Sequence, residues 1–175
     1  LLLYSDDRGR SWSAGAAVEG TGTGECQVAE VDDGDGGSVL YLSARPWRRR
    51  CRMVAVSADQ GLQFGHAVPC EELCEPPRGC QGSVVSFAKA ASWLLFSHPT
   101  DPHHRRDLGV YVNPSPLSRG SWWPPWLLYQ GPCGYSDLAV CPDGLFGCLF
   151  ECGEQRGCEE IAFCLFSQSQ LLSAC

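Results

Sequence analysis

Chemistry in this chain would have to come from its thiols, its histidines, its clustered arginines, or a tyrosine set beside a carboxylate. The thiols are numerous, twelve in 175 residues. Cys70, Cys74 and Cys80, and likewise Cys148, Cys152 and Cys158, lack the paired Cys-x-x-Cys or Cys/His spacing of a zinc site. Disulfides need an oxidising compartment, and nothing in these residues signals secretion. Cys26, Cys51, Cys148 and Cys164 lie in apolar strand-like runs, where cysteine serves as a small buried hydrophobe. The expectation is therefore reduced structural thiols and no metal. His66, His98, His103 and His104 read as surface histidines. The basic clusters Arg48-Arg49-Arg50 with Arg52, and His103-His104-Arg105-Arg106, read as solvated loops. Taken singly, Arg45 and Arg105 are surface arginines, and Tyr135 is a hydrogen-bonded core tyrosine.

The elements that must position these groups are more legible. Ser5-Asp6-Asp7-Arg8-Gly9-Arg10-Ser11-Trp12 is echoed by Ser57-Ala58-Asp59-Gln60-Gly61-Leu62-Gln63-Phe64. Both fit Ser-x-Asp-x-Gly-x-x-aromatic. In such a tight turn the Ser and Asp side chains hydrogen-bond nearby backbone and Gly takes a conformation closed to other residues. The aromatic ring is expected to pack back under the turn. Each copy follows an apolar run, Leu1–Tyr4 or Met53–Val56, so a strand–turn–strand module is repeated, as in a β-propeller.

Strand-like runs recur throughout: Leu1–Ser5, Cys26–Val31, Ser38–Ala44, Cys51–Ser57, Gly82–Ala88, Ser92–Ser97, Leu108–Asn113, Trp126–Gln130, Leu138–Cys141, Leu145–Cys152 and Glu160–Phe166. Turns rich in Gly, Pro and Asp separate them. Helical periodicity is confined to a turn or two at Gln168–Ala174. The reading is all-β, with about three blades of four strands. Ser121-Trp122-Trp123-Pro124-Pro125-Trp126 stands where a third box would fall, and is read as packing between blades. A closed ring needs at least about four blades, and the chain opens as if in mid-strand. The expectation is a single propeller domain over 1–175 that lacks its N-terminal part.

Composition sets the outer limits. Charged residues are 19% and hydrophobic ones 44%, the balance of a folded chain. No apolar run approaches the roughly 20 residues that span a bilayer. The net charge of -7 argues against nucleic acid as a partner.

Several segments, in consistent order from Leu1 to about Ser169, resemble the C-terminal half of an animal sialidase. Besides the two boxes these are Gly24-Glu25-Cys26-Gln27-Val28-Ala29-Glu30, Ser43-Ala44-Arg45, Gly79-Cys80-Gln81-Gly82-Ser83, Arg105-Arg106-Asp107-Leu108-Gly109, Gly134-Tyr135-Ser136-Asp137-Leu138 and Phe146-Gly147-Cys148-Leu149-Phe150-Glu151. Leu73–Cys80 and Gly131–Tyr135 resemble the plasma-membrane, ganglioside-preferring type. The resemblance implies a six-bladed propeller and an exo-α-sialidase acting on gangliosides and other glycoconjugates, with retention of configuration through a tyrosyl–sugar intermediate. It implies Tyr135 as nucleophile, Glu25 as its base, Arg45 and Arg105 as two of three arginines that hold the substrate carboxylate, and Glu151 as the residue orienting the first arginine. That first arginine and the acid/base aspartate would lie in the other half, so the isolated 175 residues are expected to be inactive. Arg78 is placed at the pocket rim, and Asp7 and Asp59 face away as turn residues.

This chemistry requires no metal or organic cofactor. The implied partners are sialylated glycolipids or glycoproteins, with peripheral association at the plasma membrane or a cytoplasmic location. The rival reading is a non-catalytic propeller that binds glycan or protein, because a fold does not dictate a function.

Overall fold

A computed structural model describes residues 1–19, 22–88 and 92–173. β1 (Leu3–Tyr4) and β2 (Ser13–Ala14) pair across the first box. Its Ser5 and Asp7 act as the sequence pattern implies: Gly9 N–H donates to Ser5 Oγ at 2.6 Å, and Arg10 and Ser11 N–H donate to Asp7 Oδ1 at 2.9 and 2.8 Å. The second box repeats this, with Gly61 N–H on Ser57 Oγ and Gln63 N–H on Asp59 Oδ1, both at 2.9 Å. Arg8 and Gly9, and again Gln60 and Gly61, have positive φ, which explains the glycine in each box. The aromatic position differs between copies. Phe64 packs against the buried cluster of Leu42, Ala44, Met53, Ala55 and Ala67, whereas Trp12 is 65% exposed, contrary to the expectation that it packs under its turn.

β3 (Thr23–Asp32), β4 (Ser38–Pro46), β5 (Cys51–Ser57) and β6 (Val68–Cys74) form an antiparallel sheet in chain order. β6 is absent from the runs expected of the sequence. It carries Pro69 and Glu71-Glu72, which an edge strand tolerates and an interior strand does not. β7 (Ser83–Ala88), β8 (Ser92–Pro99) and β9 (Arg106–Asn113) continue into β10 (Trp126–Val140). β10 unites two expected strands. Its first part pairs with β9, and from Cys133 onward it pairs with β11 (Leu145–Cys152), which is followed by β12 (Glu160–Ser167). A short helix, α1 (Gln168–Ser173), ends the described chain, and Ala174 of the expected helical turn lies outside the described residues.

The four-stranded sheet β3–β6 stacks against one six-stranded sheet, β7–β12, in which the long strand β10 bends from the β7–β9 part into the β11–β12 part. One apolar cluster joins the first sheet to the second through Tyr41, Leu73, Leu94, Phe96 and Trp122. Another joins β7–β9 to β10–β12 through Phe87, Leu95, Val110, Phe146, Phe150 and Phe166. Fully burying one such side chain stabilises the fold by about 1.5–3 kcal/mol. The tryptophans fill the seams: Trp122 meets Tyr41 and Phe96 edge-on, Trp123 meets Trp93, and Trp126 meets Phe166.

Three expectations are corrected here. Arg52, read with its neighbours as a solvated loop, lies within β5 and is 0% exposed, because its guanidinium is paired with Glu75. His98 is no surface residue; it is 0% exposed and bonded to Glu75. Cys26 is exposed because its side of β3 faces away from the seam, whereas Cys148 is buried. The eleven cysteines among the described residues are all free thiols. Burial pushes Cys70, Cys133 and Cys148 up to about 12 and Cys80 up to about 11, which leaves those thiols unreactive.

Candidate active site

Two β-bulges aim the principal side chains. Between Thr23, which faces Pro46, and Cys26, which faces Ala44, the register shifts, so Gly24 and Glu25 together oppose Arg45. β10 repeats the device: Cys133 faces Cys152 and Ser136 faces Phe150, which leaves Gly134 and Tyr135 opposite Glu151. Such two-against-one pairing bends the strand and redirects a side chain. Glycine at 134 is needed for close approach, since a Cβ there would run into Glu151 Oε2. That oxygen accepts the Tyr135 backbone N–H at 2.9 Å and fixes the bulge.

Residues 110 apart in sequence then meet. The Tyr135 hydroxyl donates to Glu25 Oε1. Glu25 Oε2 accepts from Arg45 Nη1 at 2.6 Å, and the same Nη1 donates to the Tyr135 hydroxyl at 3.1 Å. Arg105 precedes β9 and lies over the Tyr135 ring, its guanidinium carbon 5.7 Å from the centroid. Its position follows from the bend in β10. Cys133 N–H donates to the Arg105 carbonyl at 3.0 Å, and Gly131 N–H donates to Asp107 Oδ1 at 2.8 Å. The arginine-to-aspartate segment thus lashes the start of β9 to the strand that carries Tyr135.

The site is open: Tyr135 is 37% exposed, and a cleft of about 350 Å³ beside it is lined by Gln81, Ser136, Asp137 and Glu151 among others. Donating to Glu25 is the main cause that raises the Tyr135 pKa, with burial adding and Arg45 opposing. For Glu25, burial acts upward, but the hydrogen bonds from Tyr135 and Arg45 outweigh it and hold the carboxyl below its ordinary value. At rest the phenol keeps its proton and the carboxylate is charged and already accepts from it.

The structure therefore gathers Glu25, Arg45, Arg105 and Tyr135 on one surface, with Glu151 behind Tyr135. Asp7 and Asp59 are spent within their turns. Two further contributors lie in segments the sequence singled out without giving them these roles. The Gln81 side chain exchanges two hydrogen bonds of 2.9 Å with the Ser136 backbone and so braces the residue after Tyr135. The backbone carbonyls of Arg78 and Gly79 hold Arg45 and Arg105. The motif around Gly79–Ser83 pointed to the segment, but a carbonyl oxygen is common to every residue type.

Comparison with known proteins now bears on this arrangement. The BNR repeat-like domain family matches residues 1–148. Sialidase-3 of Homo sapiens is 44% identical over 99% of this chain, a match that covers 49% of the relative. Sialidase-4 of Homo sapiens is 30% identical over 98% of this chain and 54% of the relative. The chain thus spans about half the length of the relatives it matches. Among solved structures, a Hadza microbial sialidase superposes with a TM-score of 0.79 at 27% identity, over 97% of this chain and 32% of that one. The intramolecular trans-sialidase from Ruminococcus gnavus, in complex with oseltamivir carboxylate, superposes with a TM-score of 0.78 at 21% identity, over 97% and 38%. The fold is that of a sialidase-like propeller, of which this chain matches a part.

Proposed function

The chain belongs to the sialidase family, and from that membership we propose that the complete enzyme is a retaining exo-α-sialidase that removes terminal sialic acid from gangliosides and other glycoconjugates. The observation that carries the reading is the hydrogen bond from the Tyr135 hydroxyl to Glu25, flanked by two arginines.

Sialic acid bears its carboxylate on the anomeric carbon. A carboxylate nucleophile would approach that charge against repulsion, and a neutral phenol avoids it. A phenol ionises near pH 10 and so needs a base in contact. In the first step Tyr135 Oη bonds to the anomeric carbon while its proton passes to Glu25 Oε1. The bond from that carbon to the aglycone oxygen breaks, and the leaving oxygen is protonated by an acid supplied from the rest of the enzyme. In the second step water gives a proton to the conjugate base of that acid and displaces Tyr135, which recovers its own proton from Glu25. Two inversions give net retention.

Arg105 supplies planar paired donors for the substrate carboxylate. Its one hydrogen bond among the described residues uses a single N–H, which leaves the rest of its fork for ligand. Arg45 plays a double part. It binds the substrate carboxylate and holds Glu25 ionised until the proton moves. Glu151 fixes Tyr135 through Oε2, and Oε1 is the atom that would hold a third arginine. With a lipid-linked substrate, the enzyme works at a membrane surface.

In the complete enzyme, Tyr135→Phe should reduce hydrolysis of an aryl sialoside by about 10³-fold or more, with unchanged circular dichroism and melting temperature. Near-normal turnover would reject the mechanism, and retained sialoside binding without any wild-type turnover would favour a non-catalytic glycan binder.

A further inference from the structure

We propose that the turn Pro76–Gly79, locked from beneath by the buried cluster of Arg52, Glu75 and His98, is the positioning element for both arginines of the site. That these arginines bind substrate rests on the sialidase reading; that the turn holds them does not.

Towards the site, the turn offers two consecutive carbonyls. Gly79 N–H donates to the Pro76 carbonyl at 2.8 Å, Pro77 holds the second position, and Arg78 has φ 69° in the third. A proline followed by positive φ is the pattern of a type II turn, whose third position favours Gly or Asn. An arginine there is strained and persists only where the surroundings enforce it. The reward is orientation. The Arg78 carbonyl accepts from Arg45 Nε at 3.1 Å and from Nη2 at 2.7 Å, so Arg45 can present only its Nη1 edge to Glu25 and Tyr135. The Gly79 carbonyl accepts from Arg105 Nη2 at 2.9 Å. One arginine from β4 and one from the segment leading into β9 are thereby referenced to one turn.

Beneath it, the neck of the loop is stapled. Glu75 Oε2 accepts the Cys80 N–H at 2.8 Å, while Arg52 Nη1 donates to Glu75 Oε1 and to the Cys80 carbonyl, each at 2.8 Å. Arg52 Nε reaches Ser43 Oγ at 3.1 Å. Ser43 lies two residues before Arg45, on the same side of β4. His98 sets Nε2 3.2 Å from Glu75 Oε2 and Nδ1 2.8 Å from the Pro99 carbonyl. All three side chains are sealed from solvent, and the Arg52 guanidinium lies 5.0 Å over the Phe96 ring. Such a cluster is poorly explained by stability, because apolar residues of similar volume usually serve as well. It does fix the separation of Glu75 from Cys80, and with it the direction of the two carbonyls.

Two variants of the complete enzyme test this. Glu75→Gln keeps the side-chain shape and removes the charge. Gly79→Ala keeps all three residues of the cluster but sets a Cβ 3.0 Å from Arg45 Cγ and from the Pro46 carbonyl and 3.1 Å from Glu75 Oε2. Each should lower kcat/KM for an aryl sialoside roughly ten- to a hundredfold, mainly through KM. Crystal structures should show Arg45 and Arg105 moved off the Arg78 and Gly79 carbonyls. If Glu75→Gln does not fold, Gly79→Ala decides. Folded variants with both arginines in place and unchanged KM overturn the proposal, even if their melting temperatures fall. Displaced arginines alongside a fully active Tyr135→Phe enzyme would uphold the positioning and reject the mechanism instead.

Discussion

Two glutamate–arginine pairs of nearly the same geometry serve opposite ends in this molecule. Glu25 and Arg45 approach to 2.6 Å with side-chain exposures of 41% and 16%, whereas Glu75 and Arg52 approach to 2.8 Å with both at 0%. In each pair burial pushes the carboxyl up, and hydrogen-bonded partners bring it below its ordinary value. What differs is the third partner and the access of solvent. The open pair receives a phenol that can give up its proton, while the sealed pair receives a histidine and two backbone groups of one loop. On the proposed mechanism the open pair is a reaction centre that a ligand can reach, and the sealed pair is a frame that none can reach.

Breaking the open pair should give the largest effect on rate. Glu25→Gln in the complete enzyme removes the proposed base and should lower kcat about 10²–10⁴-fold, with little change in melting temperature, because an exposed ion pair contributes at most about 1 kcal/mol. Loss of stability matching the loss of rate would erase the distinction between the pairs. Arg52→Met should weigh more on stability than on rate, where it shares only the roughly ten- to hundredfold loss of kcat/KM expected when the turn is released. Removing one partner of a buried pair costs about 3–5 kcal/mol, read as a fall in the denaturant midpoint, and replacing Glu75 by Leu in the same molecule should recover part of it. A midpoint equal to wild type would show that the sealed pair is not needed.

The smallest effect sharpens the part played by burial. Asp7 accepts several hydrogen bonds in its turn, which hold it at about 2 from an ordinary 3.8, yet it is fully exposed. Its folded value is the lower one, so its contribution is present above pH 3.8 and is lost as pH falls towards 2. Asp7→Asn should flatten melting temperature against pH in that window, and the loss it shows at neutral pH should be small because solvent screens the exposed carboxylate. A large neutral-pH loss would mean that hydrogen bonding without burial suffices.

Much of the architecture was legible in sequence because propeller strands announce themselves by local pattern. The boxes placed their own hydrogen bonds, and β5 and β11 begin and end where their apolar runs do. β6 was hidden by Pro69 and two glutamates, since an edge strand need not look like an interior one. His98 was misread as a surface residue because a single histidine carries no mark of its surroundings. Trp12 matches its box yet stands in solvent, since the pattern specifies the turn and not what lies beneath it.

The residue types determined the strands, the turns and, by resemblance, the five side chains whose chemistry suits an anionic sugar. The tertiary structure alone decided that Glu25 and Tyr135 touch across 110 residues, that two bulges aim them, and that Arg78 and Gly79 hold the arginines through backbone oxygens. The physical reason is that hydrogen-bonded turns and strand alternation are set by neighbours in the chain. A bulge and an aimed carbonyl are set by the stacking of sheets.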